Sequence, residues 1–364
     1  MDITLQDVCV YVKGKTSVKN LTNENYISTE NMLPNKAGIT SATTLPTISK
    51  TQIYQKNDVL ISNIRPYFKK IWYANKDGGC SNDVLVLRAK DGINSKFLYY
   101  ILSTEDFFEY AMATSKGTKM PRGDKTAIMS YIVPNYDIAT QQRIASILSA
   151  LDDKIELNNR MNKNLEEQAQ AIFKSWFVDF EPFGGVMPND WKKGILSDIA
   201  DIISGKRPFI KQVERTEEFC IPLVGAASVI GYTNEFNHNE KILVTGRVGT
   251  HGVIQRFCSP CWTSDNTLVV KSNYYEYIYQ ILQCIDYKAI NRGSTQPLIT
   301  QGDLKKTVIL IPDTKTLLAF EKIVGGLMNK TTFNKVENQR LSAVRDTLLP
   351  KLMNGKIDVS EVKI

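Results

Sequence analysis

Apolar residues recur at heptad spacing in two stretches of the chain. In the first, one seam position reads Ile144, Leu151, Asn158, Leu165, Ile172 and the other Leu148, Ile155, Asn162, Ala169, Trp176. In the second, 176 residues later, the seams read Phe320, Leu327, Asn334, Leu341, Leu348 and Val324, Thr331, Asn338, Arg345, Leu352. This spacing predicts two long helices that pack along a common seam. Each runs about 40 residues, or roughly 60 Å at the α-helical rise. Even the polar exceptions coincide, Asn158 and Asn162 standing where Asn334 and Asn338 do. An amide in an apolar seam costs stability but fixes register, because it needs a facing amide. The matching heights suit two antiparallel helices of one chain forming a coiled coil.

Outside the helices the period shortens. Asp58-Val59-Leu60-Ile61 and Val84-Leu85-Val86-Leu87 read as strands, followed by one helix around Ser95 to Tyr110. Ile242-Leu243-Val244, Thr267-Leu268-Val269-Val270 and a helix near Tyr274 to Tyr287 repeat that plan. Pro134 and Pro312 stand just before the long helices, as helix-entry residues do. Pro182-Phe183-Gly184-Gly185 and Pro188 form a linker. Four segments follow: a mixed α/β domain over 1–138, a spacer helix over 139–182, a second domain over 183–311, and a helix with its tail over 312–364.

The copies share ordered landmarks. Leu5-Gln6-Asp7-Val8 returns as Leu196-Ser197-Asp198-Ile199, and Gly14-Lys15 as Gly205-Lys206. Leu60-Ile61 is matched to Leu243-Val244, and Ser81-Asn82-Asp83 to Ser264-Asp265-Asn266, both 183 residues on. Gly117-Thr118-Lys119-Met120-Pro121 returns as Gly293-Ser294-Thr295-Gln296-Pro297. The expected fold is therefore α+β: two similar mixed domains separated by the helical spacer, with an internal pseudo-two-fold repeat.

Composition narrows the chemistry. The net charge of +7 divides as 17 basic and 13 acidic side chains over 1–138, 5 and 7 over 139–182, 14 and 12 over 183–311, and 9 and 6 over 312–364. Both domains are mildly basic, which permits a polyanionic partner without requiring one. No apolar run is long enough to span a membrane, and Met1-Asp2-Ile3-Thr4-Leu5-Gln6-Asp7 lacks the plan of a signal peptide, so a cytoplasmic protein is expected. The six cysteines include one CxxC, Cys258 and Cys261, with no second pair to close a zinc site.

Catalytic patterns are missing. Arg65-Pro66-Tyr67-Phe68 lacks the amide and second proline of an adenine methyltransferase loop. Gly205-Lys206 lacks a phosphate loop. Asp313, Glu321 and Lys322 lie on a seam helix without nuclease spacing, and the two histidines, His238 and His251, leave little for triad or metal chemistry. No catalysis and no metal site are expected of this chain.

Domain, helix, domain, helix resembles the specificity subunit of a type I restriction–modification enzyme. The helix entry Gln141-Gln142-Arg143-Ile144-Ala145-Ser146-Ile147-Leu148 is similar to that family's central region, as is the run Gln168-Ala169-Gln170-Ala171-Ile172-Phe173-Lys174-Ser175-Trp176-Phe177. Leu348-Leu349-Pro350-Lys351-Leu352-Met353-Asn354-Gly355-Lys356-Ile357 resembles its C-terminal region, and Trp191-Lys192-Lys193-Gly194-Ile195-Leu196-Ser197-Asp198 the opening of its second domain. The second helix entry, Leu317-Leu318-Ala319-Phe320, departs from the Gln-Gln-Arg-Ile form. The resemblance implies two target-recognition domains, each reading half of a bipartite, asymmetric site in double-stranded DNA. It implies that the helices set the spacing and dock two methyltransferase subunits, with nuclease-translocase subunits added. S-adenosylmethionine, Mg and ATP then belong to the partners, and this chain directs adenine methylation or restriction without catalysing either. A coiled-coil adaptor whose two domains bind proteins is the other reading.

Phosphate contacts need cations, hydroxyls and backbone amides, while base reading favours Arg, Asn, Gln and Lys on loops. By that test the DNA-binding candidates are Lys116, Thr118, Lys119 and Arg122, matched by Arg292, Ser294, Thr295 and Gln296. Arg65, Lys69 and Lys70 follow, matched by Arg247 and His251, and then Lys206 and Arg207. An ordinary turn or a solvated strand end explains each cluster as well. Ser81-Asn82-Asp83 and Ser264-Asp265-Asn266 read as turns closing on their own backbone. Tyr67, Phe68, Trp72 and Tyr73 read as core and rim packing, and Trp176 with Phe177 as packing that closes the spacer or as part of a methyltransferase dock.

Overall fold

A strand that is apolar at consecutive positions needs cover on both faces, and each half of the chain supplies it. The computed structural model describes residues 3–293 and 297–362. It divides into two units, Met1–Asn158 with Val336–Ile364, and Asn159–Lys335.

In the first unit a four-stranded antiparallel sheet runs Cys9–Tyr11, Val84–Ala89, Val59–Ser62, Ile71–Tyr73. Val59, Ile61, Leu85 and Leu87 join one core with Phe97, Leu98, Phe107 and Phe108 of the helices. Leu60, Val84 and Val86 point the other way, into a second core with Ile27, Met32, Tyr54 and Cys80. A second sheet, ordered Lys15–Ser17, Lys50–Tyr54, Gly78–Cys80, Tyr26–Ile27, covers that side. The single helix expected over Ser95 to Tyr110 is instead two, Ser95–Leu102 and Glu105–Ala113. Thr104 breaks it: its hydroxyl accepts from the Phe107 N–H at 3.3 Å, as Asn94 does from Phe97 at 2.9 Å. Such residues stabilise a helix start better than its interior.

The second unit repeats the strand order with Asp201–Ser204, Thr267–Lys271, Ile242–Gly246, Gln255–Phe257. Leu243, Leu268 and Val270 face the helix side, and Ile242, Val244 and Val269 the other. This corrects the match of Leu60-Ile61 to Leu243-Val244. By face and pairing it is Val59-Leu60 that corresponds to Leu243-Val244, since Val59 pairs Leu87 and Leu243 pairs Val270. A one-residue slip exchanges the faces of a strand, and a run apolar on both faces conceals it.

The long helices are Ile138–Phe177 and Thr314–Met353, 40 residues each. Both start on an aspartate cap: Asp137 accepts from the Thr140 N–H at 2.7 Å and Asp313 from Thr316 at 3.0 Å. Each helix lends one half to each unit. In the first unit Ile144, Ala145 and Leu148 share a core with Leu349, Leu352 and Met353; in the second Ala169, Phe173 and Phe177 share one with Phe320, Val324 and Met328. Within each unit the two helix segments therefore run antiparallel. Phe173 and Phe177 are buried where the heptad pointed to Ile172 and Trp176, which are half-buried. A straight helix drifts about 20° per heptad, so four heptads move the buried stripe on by nearly one residue. Phe177 packs on Phe320 at 5.0 Å and on Tyr277 at 4.8 Å, and Trp176 on Phe320 at 6.0 Å.

The seam asparagines are paired. The Asn158 amide donates to Asn338 Oδ1 at 2.8 Å in the first unit, and the Asn334 amide to Asn162 Oδ1 at 2.9 Å in the second. Arg345, also at a seam position, binds Asp152 at 2.7 Å, and Asp152 accepts from the Tyr100 hydroxyl at 2.7 Å. Glu321 accepts from the N–H groups of Glu276 (3.1 Å) and Tyr277 (2.9 Å) at the start of the helix Tyr275–Cys284. Burial raises its pKa against the pull of those donors. Glu321 and Asp313 thus hold helix ends, and Asp313 also accepts from Trp191 Nε1 at 3.1 Å.

Candidate nucleic-acid interface

The loops at one end of each central sheet are tied by four matching backbone bonds, and differ in a fifth, where the Leu298 N–H donates to Asn291 Oδ1 (2.8 Å) instead of to the backbone. In the first unit the Asn63 N–H donates to the Asp83 carbonyl (2.8 Å), Arg65 to Pro121 (2.8 Å) and Gly123 to Asn63 (3.1 Å). Lys116 and Arg122 exchange both backbone bonds at 2.9 Å, closing a hairpin whose turn needs the positive φ of Gly117, 92°. In the second unit Arg247 donates to Asn266 (2.8 Å), Gly249 to Pro297 (3.0 Å), Ile299 to Arg247 (2.9 Å) and Arg292 to Leu298 (2.9 Å).

Those bonds realign one pair of candidates. Arg65 corresponds to Gly249, not to Arg247, and Arg247 takes the place of Asn63. Both Arg65 and Gly249 are left-handed, at φ 51° and 86°, a conformation that costs a side chain energy and glycine nothing.

The candidate cations are mostly held by carboxylates. Lys116 pairs with Asp124 at 2.5 Å and Arg122 with Asp83 at 3.3 Å. Lys116 lowers the Asp124 pKa, with help from the N–H groups of Ala127 and Thr126. Glu105 takes Lys69 and, at 3.0 Å, Lys36. Arg207 reaches Asp265 at 3.7 Å, and Arg292 Nε donates to Asp303 at 2.9 Å. Pairs at a protein surface contribute little to stability; here they fix where each cation sits. Asp83 and Asp265 thus hold cations as well as closing turns, and Lys36, Asp124 and Asp303 are further charged partners that the sequence did not single out. Thr118, Lys119 and Lys206 are exposed. Lys70 turns inward, donating to the Thr29 carbonyl at 2.6 Å, and burial lowers its pKa. Ser294, Thr295 and Gln296 lie outside the described residues.

Buried polar atoms without hydrogen-bond partners occur in these loops, Asn63 Oδ1 and Arg65 Nε in one unit and His251 Nε2 and Ser264 Oγ in the other, and also on the helix seam, at Asn158 Oδ1 and Asn334 Oδ1, and at Thr245 Oγ1. The four aromatics divide between core and rim. Trp72 packs edge-on against Tyr54 at 5.7 Å, and Tyr73 bonds Ser95 at 2.8 Å, while Tyr67 and Phe68 pack on each other at the surface, each partly exposed. Among the described residues no cluster of His, Cys, Asp or Glu is arranged to hold a metal. The CxxC is split between an exposed Cys258 and a buried Cys261, whose thiol burial pushes up to about 12. No described helix is long and apolar enough to cross a membrane.

The sequence model of the type I restriction modification DNA specificity domain matches residues 1–167 and 188–345, one match for each candidate loop frame. The chain belongs to that family. It is 28% identical to the type I restriction enzyme MjaIX specificity subunit of Methanocaldococcus jannaschii, over 75% of this chain and 71% of that one. It is 26% identical to the HindI specificity subunit of Haemophilus influenzae, over 98% and 99%. The fold is that of the S subunit of a type I restriction-modification system from M. genitalium, with a TM-score of 0.64 at 20% identity over 97% of this chain and 96% of that one.

Proposed function

We propose that this protein is the DNA-specificity subunit of a type I restriction–modification system, reading a bipartite, asymmetric site in double-stranded DNA. The observation that carries the reading is a loop frame built twice on four matching backbone bonds with different side chains. Asn63 stands where Arg247 does, Arg65 where Gly249 does, and Arg122 where Leu298 does. A shared frame with exchanged contact residues is what two half-sites of different sequence require. Residues 1–138 and 183–311 are the two target-recognition domains in this reading, and 139–182 with 312–364 the antiparallel coiled-coil spacer of a pseudo-two-fold repeat. Asn158, Asn162, Asn334 and Asn338 set its register.

The domains deliver adenine methylation or restriction through partners: two methyltransferase subunits, with nuclease-translocase subunits added, in the cytoplasm. S-adenosylmethionine, Mg and ATP act in those partners. Docking on the helices is supported by apolar side chains turned away from the seam, Leu157, Phe333, Val336 and Val344. The test is to map methylated adenines in cells with and without the gene. A bipartite motif that vanishes with the gene supports the reading. Unchanged methylation, together with DNA affinity that is flat in salt, returns the chain to a protein-binding adaptor, because phosphate neutralisation makes log affinity fall linearly with log salt.

A further inference from the structure

Single exposed apolar residues are ordinary, but each unit exposes an adjacent pair in the same five-residue setting. Arg65-Pro66-Tyr67-Phe68-Lys69 in the first unit and Arg207-Pro208-Phe209-Ile210-Lys211 in the second both read Arg-Pro-aromatic-apolar-Lys. The two motifs are not at equivalent places in the repeat: Arg65 corresponds to Gly249, while Arg207 follows Gly205, the landmark that matches Gly14. The same device was thus reached twice from different loops.

In the first unit the turn Pro66–Phe68 is bracketed by two left-handed residues, Arg65 and Lys69 (φ 51° and 50°). The proline is buried, and the rings of Tyr67 and Phe68, 46% and 37% exposed, lie 4.6 Å apart. The Arg65 N–H bonds Pro121, so the turn is continuous with the candidate hairpin. In the second unit the loop is tethered on both sides, by Lys206 N–H to the Thr263 carbonyl (2.9 Å) and by Gln212 to Tyr232 in both directions (2.9 and 2.8 Å). Between the tethers Phe209 is 89% exposed and Ile210 56%. Arg207 beside Asp265 joins this loop to the turn whose Asn266 carbonyl holds Arg247.

We propose that Tyr67-Phe68 and Phe209-Ile210 are apolar wedges, each entering the groove of its half-site between flanking cations and leaning on a partly unstacked base step. The inference rests on the DNA-specificity reading. A duplex is the partner the surface fits, because cations on both sides of an apolar tip match phosphates on both sides of a base step. Wedges of this kind exchange stacking for a bent duplex that meets more protein, and add selectivity for easily opened steps.

The experiment uses the full chain and duplexes selected by it from random sequence, with 2-aminopurine placed at one position at a time across both half-sites. Wild type is expected to raise emission at one step in each half-site. Y67A with F68A is expected to abolish the signal in one half-site only, and F209A with I210A in the other only. Each double variant binds about tenfold more weakly, with an unchanged slope of log affinity against log salt, because no cation is removed. An unchanged melting temperature separates this loss from misfolding. Variants that match wild type in emission and affinity overturn the wedges while leaving sequence selection intact. Variants that bind DNA normally but no longer assemble with the methyltransferase assign the pairs to protein docking instead. A wild-type chain that selects no sequence overturns the DNA reading itself.

Discussion

The two units share the strand order of one four-stranded sheet and differ in how they use their polar groups. Tyr73 pairs Val59 and Arg256 pairs Leu243, so they hold the same place on the edge strand. Tyr73 bonds Ser95 and Asn57 and lies against Tyr99, rings 5.8 Å apart. Arg256 instead forks onto Glu276 (2.6 and 2.7 Å) with its guanidinium 4.9 and 4.5 Å from the rings of Tyr275 and Tyr279. One place in a repeated fold is thus held by a hydroxyl in one copy and a buried ion pair in the other. The helices show the opposite behaviour, with donors Asn158 and Asn334 and acceptors Asn338 and Asn162 in the same roles. Where a fold must be the same twice, the side chains are kept; where it need only hold a strand edge, they are free to change.

The largest effect should come from breaking the uniform part. One heptad inserted between Leu151 and Leu165 is expected to end methylation at the original site and start it at a site with a longer gap and both half-sites intact, read by methylation mapping. Altered half-sites would contradict a helical ruler. Next comes the divergent strand edge. Arg256→Ala leaves Glu276, 4% exposed, without its partner and should cost the second unit roughly 3–5 kcal/mol. Tyr73→Phe should cost the first about 1 kcal/mol. Denaturant unfolding measures both, and equal losses would erase the contrast.

The seam predicts near parity instead. Asn158→Ala and Asn334→Ala each strip a facing amide of its donor and should cost about 1–3 kcal/mol apiece, Asn158→Ala the more because its amide also donates to Glu337 at 2.7 Å; a larger loss at Asn334 would mean that the two amide pairs are not doing one job. The smallest effect belongs to the hairpin base. Arg122→Ala should lower the salt slope of DNA binding by about one, whereas Leu298→Ala leaves it unchanged, as fluorescence anisotropy across a salt series would show.

From the sequence alone came the two long helices, their paired asparagines, the order of the landmarks and most of the candidate cations, because heptads, caps and glycine turns are local patterns that act through local geometry. Only the tertiary structure decided the rest. The slip that pairs Val59-Leu60 with Leu243-Val244 could not be read from runs apolar on both faces, where either register looks equally well buried. The realignment of Arg65 with Gly249 needed backbone bonds between loops up to 60 residues apart, as between Asn63 and Gly123, far beyond any local signal. The break at Thr104 was a contest between helix periodicity and a side-chain cap. And whether Tyr67 and Phe68 pack or protrude depended on two left-handed residues bracketing a proline turn, a choice the ring chemistry itself leaves open.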